Sequence, residues 1–296
     1  MSGTPIAEVE VDEKLVRALL IEQHTDLASL PIELMDAGWD NFMFRLGDAY
    51  TVRLPRRLAA VSLLINEQEW LPKLAPRLPI AIPSPLRIGH PGSSYPWRWS
   101  ILPWLKGSSA NELPPSAQQA PKLAEFLKAL HQFAPVDAPI NDVRGCPLSD
   151  RADGVSIRMD QLKETSGSIV PEIEMAWKDA LEVPDASDAR WLHGDLHARN
   201  VLVDDGTISA IIDWGDITSG DVATDLASIW ALFDDADARN FALQAYGATE
   251  PEIARARGWA VNFGTILLAT GMVDNPRHAA MGADTLRRVA EDFAAA

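Results

Sequence analysis

The segment from residue 191 to residue 213 constrains the fold of this chain more than any other part of its sequence. It contains a polar loop, in which His193-Gly194-Asp195 is followed after four residues by Asn200. An Asp-Asp-Gly turn at 204–206 then separates two apolar runs, and Asp213 follows the second run. Apolar runs on both sides of such a turn predict a β-hairpin. We expect this hairpin to bring Asn200 and Asp213 to one end, near Asp195.

Asp195, Asn200 and Asp213 form a chemically defined set. A carboxylate accepts a proton, and carboxylate and amide oxygens are ligands that Mg²⁺ binds. Phosphoryl transfer uses such a set, because its transition state is stabilised mainly by positioning and by bound metal. A metal hydrolase that activates water through His193 and His197 is an alternative interpretation of the same loop. We expect both histidines to pack locally, since the six histidines of the chain supply no second cluster.

The loop resembles the aminoglycoside phosphotransferase family, and the resemblance extends from about residue 30 to about residue 235. Protein kinases have His-Arg-Asp, four residues and Asn at this place, and Asp213-Trp214-Gly215 stands where they have Asp-Phe-Gly. The resemblance implies that Asp195 is the catalytic base or orienter. It also implies that Asn200 and Asp213 hold Mg²⁺. Gly220-Asp221 and Asp225-Leu226-Ala227 resemble the family's next element, whose Asp is expected to support the loop.

The resemblance also assigns nucleotide contacts upstream. Gly38-Trp39-Asp40-Asn41-Phe42 looks like the family's nucleotide-covering loop, with Asp40 and Asn41 as contacts. Arg53 stands where a protein kinase has its phosphate-contacting Lys, although Arg and Lys present different geometry to phosphate. Glu67 is its expected partner, with Glu69 as the fallback. The expected hinge against adenine, contacting it through backbone groups, includes Ile101, Pro103 and Trp104.

Periodicity and turn residues predict an α+β chain of two lobes, which the resemblance makes protein-kinase-like. The small antiparallel-sheet N-lobe spans 1–103 and covers the nucleotide, and the mainly helical C-lobe spans 104–296 and carries the Asp195 loop and the acceptor site. We expect the nucleotide in the cleft between them. Strands are predicted at 32–35, 42–46, 50–54 and 97–102, and helices at 11–22, 61–75, 116–132, 152–164, 171–182, 222–246 and 250–271.

The charge balance limits the partners of this chain. It has 26 Lys and Arg against 42 Asp and Glu, a net charge of −16, which argues against nucleic acid. A cationic small molecule and simple solubility explain such a surface equally well. The single cysteine, Cys146, forms no internal disulfide and fits a cytoplasm. We expect no membrane segment and no signal peptide, and a monomer or homodimer.

The functional prediction is therefore transfer of the γ-phosphoryl group of ATP, with GTP as the alternative, to a hydroxyl of a small molecule with Mg²⁺. The resemblance points first to an aminoglycoside- or macrolide-like antibiotic. An ordinary metabolite, such as an amino alcohol or a sugar derivative, and a nucleotide-binding pseudokinase are the alternatives. Candidate acceptor contacts are Asp160, Glu164 and Trp230.

Overall fold

The computed structural model describes residues 6–37, 40–186 and 188–295. Its contacts divide the chain into two compact units. The first comprises Met1–Pro76, Ala81–Leu105 and Asp213–Gly215, and the second comprises Arg77–Ile80, Lys106–Ile212 and Asp216–Ala296. Asp213 therefore belongs to the first unit, whereas Asp195 and Asn200 belong to the second.

The first unit is built on a five-stranded antiparallel sheet in the order β1-β2-β3-β5-β4. Its elements are α1 (Glu13–Gln23), β1 (Ile32–Ala37), β2 (Asn41–Leu46), β3 (Tyr50–Pro55), α2 (Val61–Leu74), β4 (Arg87–Gly89) and β5 (Trp99–Pro103). Alternating side chains of the strands, such as Phe44, Val52 and Ile101, pack with Leu19 and Leu20 of α1. Each such side chain stabilises the fold by about 1.5–3 kcal/mol when fully buried.

The predicted strands and helices of the first unit are confirmed, with β4 as an addition. This three-residue strand lies in a stretch that prolines interrupt, so no alternating pattern marks it in the sequence. The α2 helix continues through Pro72 and ends at Leu74, one residue before the predicted end.

The second unit is mainly helical and contains two small antiparallel sheets. Its strands are β6 (Ser108–Ser109), β7 (Arg190–Leu192), β8 (Val201–Asp204), β9 (Thr207–Ile211) and β10 (Thr218–Gly220). Its helices are α3 (Ala120–Leu130), α4 (Ala152–Thr165), α5 (Pro171–Glu182), α6 (Ala223–Leu226), α7 (Ser228–Leu232), α8 (Ala236–Tyr246), α9 (Glu250–Asp274) and α10 (Pro276–Ala294). The hairpin predicted around the turn at 204–206 is confirmed, because β8 pairs with β9 across it.

Helix α9 is the centre of the second unit, and α4, α5, α6 and α10 pack against it. Apolar side chains surround it, which is typical of a buried helix. The helix predicted at 222–246 is in fact three helices. Asp235 separates α7 from α8, because it ends the apolar run and accepts a hydrogen bond from the Ala238 N–H as the N-cap of α8. Helix α10 was not predicted. No helix in the described ranges is long and apolar enough to cross a membrane.

Candidate active site

Residues 193–200, which we call the Asp195 loop, connect β7 to β8. Asp225 supports this loop through hydrogen bonds to its backbone. The buried Asp225 carboxylate accepts hydrogen bonds from the backbone N–H groups of His193 (2.7 Å) and Gly194 (2.9 Å). Gly194 has a φ of +86°, and a Cβ there would lie 2.4 Å from the Asp216 carbonyl oxygen. The loop therefore requires glycine at this position. Of the two Asp residues in the element that the resemblance implied, Asp225 is thus the one that supports the loop.

Both ring nitrogens of His193 are used inside the second unit. Its Nδ1 accepts from the Asp195 N–H at 3.2 Å, so its Nε2 carries the proton and donates to the Ile212 carbonyl at 2.9 Å. His197 is engaged in the same way, through the Arg199 N–H and the Asp195 carboxylate. Both histidines order the loop, as we predicted, and neither has a free nitrogen for the metal of a hydrolase.

The Asp195 carboxylate is about a quarter exposed (23%) and has two cationic or polar partners. The Arg144 guanidinium lies 3.1 Å from it, and His197 Nε2 lies 3.4 Å away. Burial by itself raises the pKa of Asp195, but His197, and then Arg144 and His193, lower this pKa well below its usual range. The carboxylate is thus ionised at neutral pH and suited to orient a hydroxyl.

Asn200 is oriented by the loop itself. Its Nδ2 donates to the Asp195 carbonyl at 2.9 Å, which leaves its Oδ1 for a cation. Its own backbone carbonyl accepts from the Ile212 N–H at 2.8 Å, so the residue that precedes Asp213 is tied to Asn200. The amide oxygen therefore fits the role of a magnesium ligand that the sequence predicted.

Arg53, Glu67 and Asp213 form one network in the first unit. The buried Arg53 guanidinium donates to Glu67 at 2.8 Å and to Asp213 at 3.2 Å. Burial raises the pKa of Glu67 to about 7, against the opposing effect of Arg53. The Asp213 side chain is 60% exposed and presents oxygen to solvent. Glu69 instead pairs with Lys73 on the exposed face of α2, so the fallback assignment was wrong.

The remaining nucleotide candidates lie around the same sheet. The Asn41 amide oxygen, when turned toward Arg53, accepts from its Nε and Nη2 at 3.1 and 3.0 Å. Asp40 pairs with Arg57, whose Nε lies 2.8 Å away. Gly38 and Trp39, the other predicted loop residues, lie outside the described residues.

Backbone groups of the predicted hinge are partly used within the sheet. The Trp104 N–H donates to the Ala49 carbonyl, and the Ile101 carbonyl accepts from the Leu86 N–H, both at 2.8 Å. Pro103 has no N–H. The Trp104 N–H and the Ile101 carbonyl are thus engaged within the first unit, and the adenine contact stays a prediction for the other backbone groups of this segment. The Trp104 indole stacks under the Arg45 guanidinium, whose central carbon is 3.5 Å from the ring centroid.

The predicted acceptor residues behave differently from one another. Asp160 and Glu164 are exposed on α4, where Asp160 lies 3.7 Å from Lys163. Trp230 is fully buried, and its Nε1 donates to Asp292 at 2.9 Å. The structure therefore corrects the Trp230 assignment, because no part of this side chain is accessible to an acceptor. The sequence showed only an apolar residue in a predicted helix, which does not distinguish a pocket wall from a core position.

Two concave regions lie in the second unit. A narrow hollow beside Asp195 is lined by His197, Ala260, Phe263, Leu267 and Thr285, among others. A larger cavity of about 330 Å³ lies between the 110–114 segment and α10. None of the predicted site residues lines the larger cavity among the described residues, so volume alone does not identify the acceptor site.

Three comparisons with known proteins place the chain in a family. The model of the phosphotransferase enzyme family matches residues 31–259. An aminoglycoside 3'-phosphotransferase of Streptomyces fradiae is 27% identical over 154 residues. That match covers 49% of this chain and 57% of the relative, so it spans little more than half of the relative's length.

Solved structures share the fold at low sequence identity. The GDP complex of wild-type aminoglycoside 2'-phosphotransferase-IIIa is 16% identical, with a TM-score of 0.66 and coverage of 95% of this chain and 99% of that one. A macrolide 2'-phosphotransferase from Brachybacterium faecium is 22% identical, with a TM-score of 0.59 and coverage of 90% and 96%. These similarities confirm the predicted kinase-like α+β fold. Since the family model matches more than half of its residues, the chain belongs to the phosphotransferase enzyme family.

Proposed function

We propose that this protein transfers the γ-phosphoryl group of a nucleoside triphosphate to a hydroxyl of a small molecule. The observation that carries the proposal is the ordered Asp195 loop. It holds an ionised carboxylate that Asp225 supports through two backbone hydrogen bonds and keeps the Asn200 amide oxygen available. Positioned groups of this kind, together with bound metal, supply most of the catalysis in phosphoryl transfer.

Each catalytic side chain has one proposed role. Asp195 accepts a hydrogen bond from the acceptor hydroxyl and orients the hydroxyl oxygen toward the γ-phosphorus. The new P–O bond forms as the bond to the β,γ-bridging oxygen breaks, and the hydroxyl proton leaves through Asp195. The nucleoside diphosphate departs with the electrons of the broken bond.

Asn200 and Asp213 are the proposed magnesium ligands. Both present oxygen, and Mg²⁺ typically takes one or two such protein ligands beside phosphate oxygens and water. When bound, the ion would neutralise charge on the phosphates. The Asn200 Nδ2 bond to the Asp195 carbonyl supports this role, because it directs the amide nitrogen away from a cation.

The nucleotide is ATP, with GTP as the alternative. Solved structures of neighbours contain GDP, ADP or ATP, which supports a purine nucleotide for this chain. Arg53, positioned by Glu67, would contact its phosphates, with Asp40 and Asn41 beside them. We also propose that the two lobes comprise residues 1–103 and 104–296 and that the protein is cytoplasmic.

The first candidate acceptor is an aminoglycoside- or macrolide-like antibiotic. Structural neighbours support this candidate, because they include complexes with kanamycin and gentamicin and a macrolide 2'-phosphotransferase. Asp160 and Glu164 are the candidate contacts for amino groups. The second candidate is an ordinary metabolite, and the Arg144 guanidinium on Asp195 favours it, since an acceptor amine near the reacting hydroxyl would meet a like charge.

One experiment tests the phosphotransferase proposal. Release of nucleoside diphosphate is measured with Mg²⁺ across a panel of hydroxylated acceptors for the wild type and for Asp195→Asn. We expect turnover to fall by roughly 10²- to 10⁴-fold, while nucleotide binding persists. Asp179→Asn, which removes an exposed carboxylate from α5, is the matched control and retains turnover. Equal turnover of Asp195→Asn and wild type would refute the assignment, and nucleotide binding without turnover in the wild type would indicate the pseudokinase alternative.

A further inference from the structure

Three arginines lie in the second unit on the segment that leads into α4 and on α4 itself. Arg144 pairs with Asp195, and its guanidinium lies 5.0 Å from the centroid of the Phe263 ring, which also lines the hollow beside Asp195. Arg158 donates to Asn262 at 2.8 Å and to Thr265 at 3.2 Å. Arg144 and Arg158 thus contact the same stretch of α9.

Arg151 belongs to the same group. It lies seven residues before Arg158 on a continuous helical segment, and this spacing puts both side chains on one face. Burial, and then the neighbouring charge of Arg151, lower the pKa of Arg158. Burial, and to a smaller extent the charge of Asp150, raise the pKa of the nearby Cys146 thiol, and the charges of Arg151 and Arg144 oppose that change. We call Arg144, Arg151 and Arg158 the arginine group.

The arginine group is short of negative charge. The three arginines that are buried in the described ranges each have a carboxylate partner, since Arg53 pairs with Glu67, Arg239 with Asp292 and Arg255 with Asp221. Within the described ranges, Arg158 has only neutral partners, and neither it nor Arg151 has a carboxylate within 4 Å. The Nε atoms of Arg144 and Arg151 are buried without a hydrogen-bond partner there.

The backbone next to Arg144 is fixed. Gly145 has a φ of +66°, and its carbonyl accepts from the Asp221 N–H at 3.0 Å. A Cβ at Gly220 would lie 2.1 Å from that carbonyl oxygen, so the two glycines lie in direct contact. The side chain of Asn141 is bonded to Asp216, 2.7 Å away. Arg144 is therefore held beside Asp195 by a built structure and not by a mobile surface segment.

We propose that the arginine group binds an anionic group of the acceptor, a carboxylate or a phosphate, while Asp195 receives the acceptor hydroxyl. This inference rests on the proposed phosphotransferase function and names the class of its substrate. Guanidinium groups present several N–H donors in a planar fork that matches both anions. The acceptor is accordingly a hydroxylated acid or a phosphorylated alcohol, which selects the second candidate of the proposed function, an ordinary metabolite, over an aminoglycoside.

The first test compares acceptors that differ only in charge. Hydroxy acids and sugar phosphates are each paired with an uncharged ester, amide or unphosphorylated counterpart and with an aminated one, and kcat/KM is measured with ATP and Mg²⁺. We expect the anionic member of at least one series to lead by roughly tenfold to a hundredfold, as a hydrogen-bonded charge pair provides. The series that leads distinguishes carboxylate from phosphate. A lead for the aminated acceptors in both series overturns the inference.

The variant Arg151→Gln isolates the arginine group, with Lys178→Gln on the exposed face of α5 as the matched loss of one cation. We expect Arg151→Gln to raise KM for the anionic acceptor about tenfold and to leave KM for its uncharged counterpart unchanged. Lys178→Gln should behave as the wild type. Equal KM values for the anionic acceptor in both variants would overturn the inference. Circular dichroism on heating checks that both variants fold.

A second readout does not need turnover. Cys146 is the only cysteine and is partly exposed beside Arg144 and Arg151. Its alkylation rates with anionic iodoacetate and neutral iodoacetamide are compared at constant ionic strength, with and without inorganic phosphate. We expect Arg151→Gln to lower the iodoacetate-to-iodoacetamide ratio by roughly threefold to tenfold, and phosphate to slow iodoacetate more than iodoacetamide in the wild type. If Arg151→Gln leaves the iodoacetate-to-iodoacetamide ratio unchanged, the anion site is overturned even when turnover is found. If the ratio falls but no acceptor is turned over, the anion site is supported and the phosphotransferase proposal is rejected.

Discussion

Replacement of Asp225 by Asn tests how the Asp195 loop is held. In the wild type, Oδ2 accepts from the His193 N–H at 2.7 Å and Oδ1 from the Gly194 N–H at 2.9 Å, and His131 Nε2 lies 3.3 Å away. Asn keeps the volume of Asp, but its amide nitrogen must face one of the two N–H donors. One buried donor then loses its acceptor, and the other loses a charge-assisted bond.

The size of the effect follows from these contacts. An unsatisfied buried N–H costs about 1–3 kcal/mol, and hydrogen bonds to charged groups contribute about 1.5–3 kcal/mol. We therefore expect Asp225→Asn to lower the free energy of unfolding by roughly 2–4 kcal/mol. The loop that carries Asp195 also shifts, and a displacement of 1 Å costs about 10²-fold in rate. The KM for nucleotide should change little, because Asp225 is a positioning residue.

The assay combines urea unfolding with kcat measured at a temperature where both proteins are folded. Asp292→Asn is the control, since it breaks the buried pair with Arg239 and destabilises the fold away from the Asp195 loop. We expect both variants to lose stability, but only Asp225→Asn to lose kcat once folded. Wild-type kcat in folded Asp225→Asn, or equal losses of kcat in the two variants, would refute the proposed support.

Three further substitutions test individual contacts. Gly194→Ala adds a Cβ 2.4 Å from the Asp216 carbonyl oxygen at a residue whose φ is +86°. Steady-state kinetics should therefore give a kcat lower by about 10²-fold, and a near-normal kcat would contradict this geometry. Burial raises the folded pKa of Glu67 from 4.5 to about 7. The free energy of unfolding of the wild type relative to Glu67→Gln should therefore fall by up to about 3 kcal/mol as the pH rises from 4.5 to 7. Urea titrations without Mg²⁺ measure this difference, and a rise over that pH range would contradict the raised pKa. Trp230→Phe removes the bond to Asp292 and should lower the free energy of unfolding by about 1 kcal/mol with unchanged KM for the acceptor, whereas a large rise in KM would restore Trp230 as an acceptor contact.

Local chemistry explains which elements were predictable from the sequence. The α5 helix lies at 171–182 as predicted, because Pro171 at its first position has no N–H to satisfy and a fixed φ suited to a helix. The hairpin was predictable because Asp205 and Gly206 both adopt positive φ, as a tight turn between twisted strands requires. In each case a few adjacent residues determine the structure.

Other features depend on contacts that no sequence window contains. Asp195 and Arg144 are 51 residues apart and meet only through the packing of the 139–145 segment on β10. The Ile101 carbonyl and the Trp104 N–H are likewise bonded to neighbouring segments, which the sequence alone does not show. Helix α10 begins at Pro276, directly after its N-cap Asn275 and the end of α9, so the sequence shows no separate loop between the two helices.

The residues of the Asp195 loop and the arginine beside it come from different parts of the chain. Asp195, Asn200 and Gly194 belong to one short motif, so their conformations are fixed by neighbouring backbone groups and by Asp225. Arg144 reaches Asp195 from a segment outside that motif, and a different segment there would change the charge at the acceptor site without altering the loop. The net charge of the chain therefore says little about the acceptor, because charge acts locally where water is partly excluded. The arginine beside Asp195 is the better guide to what the enzyme accepts.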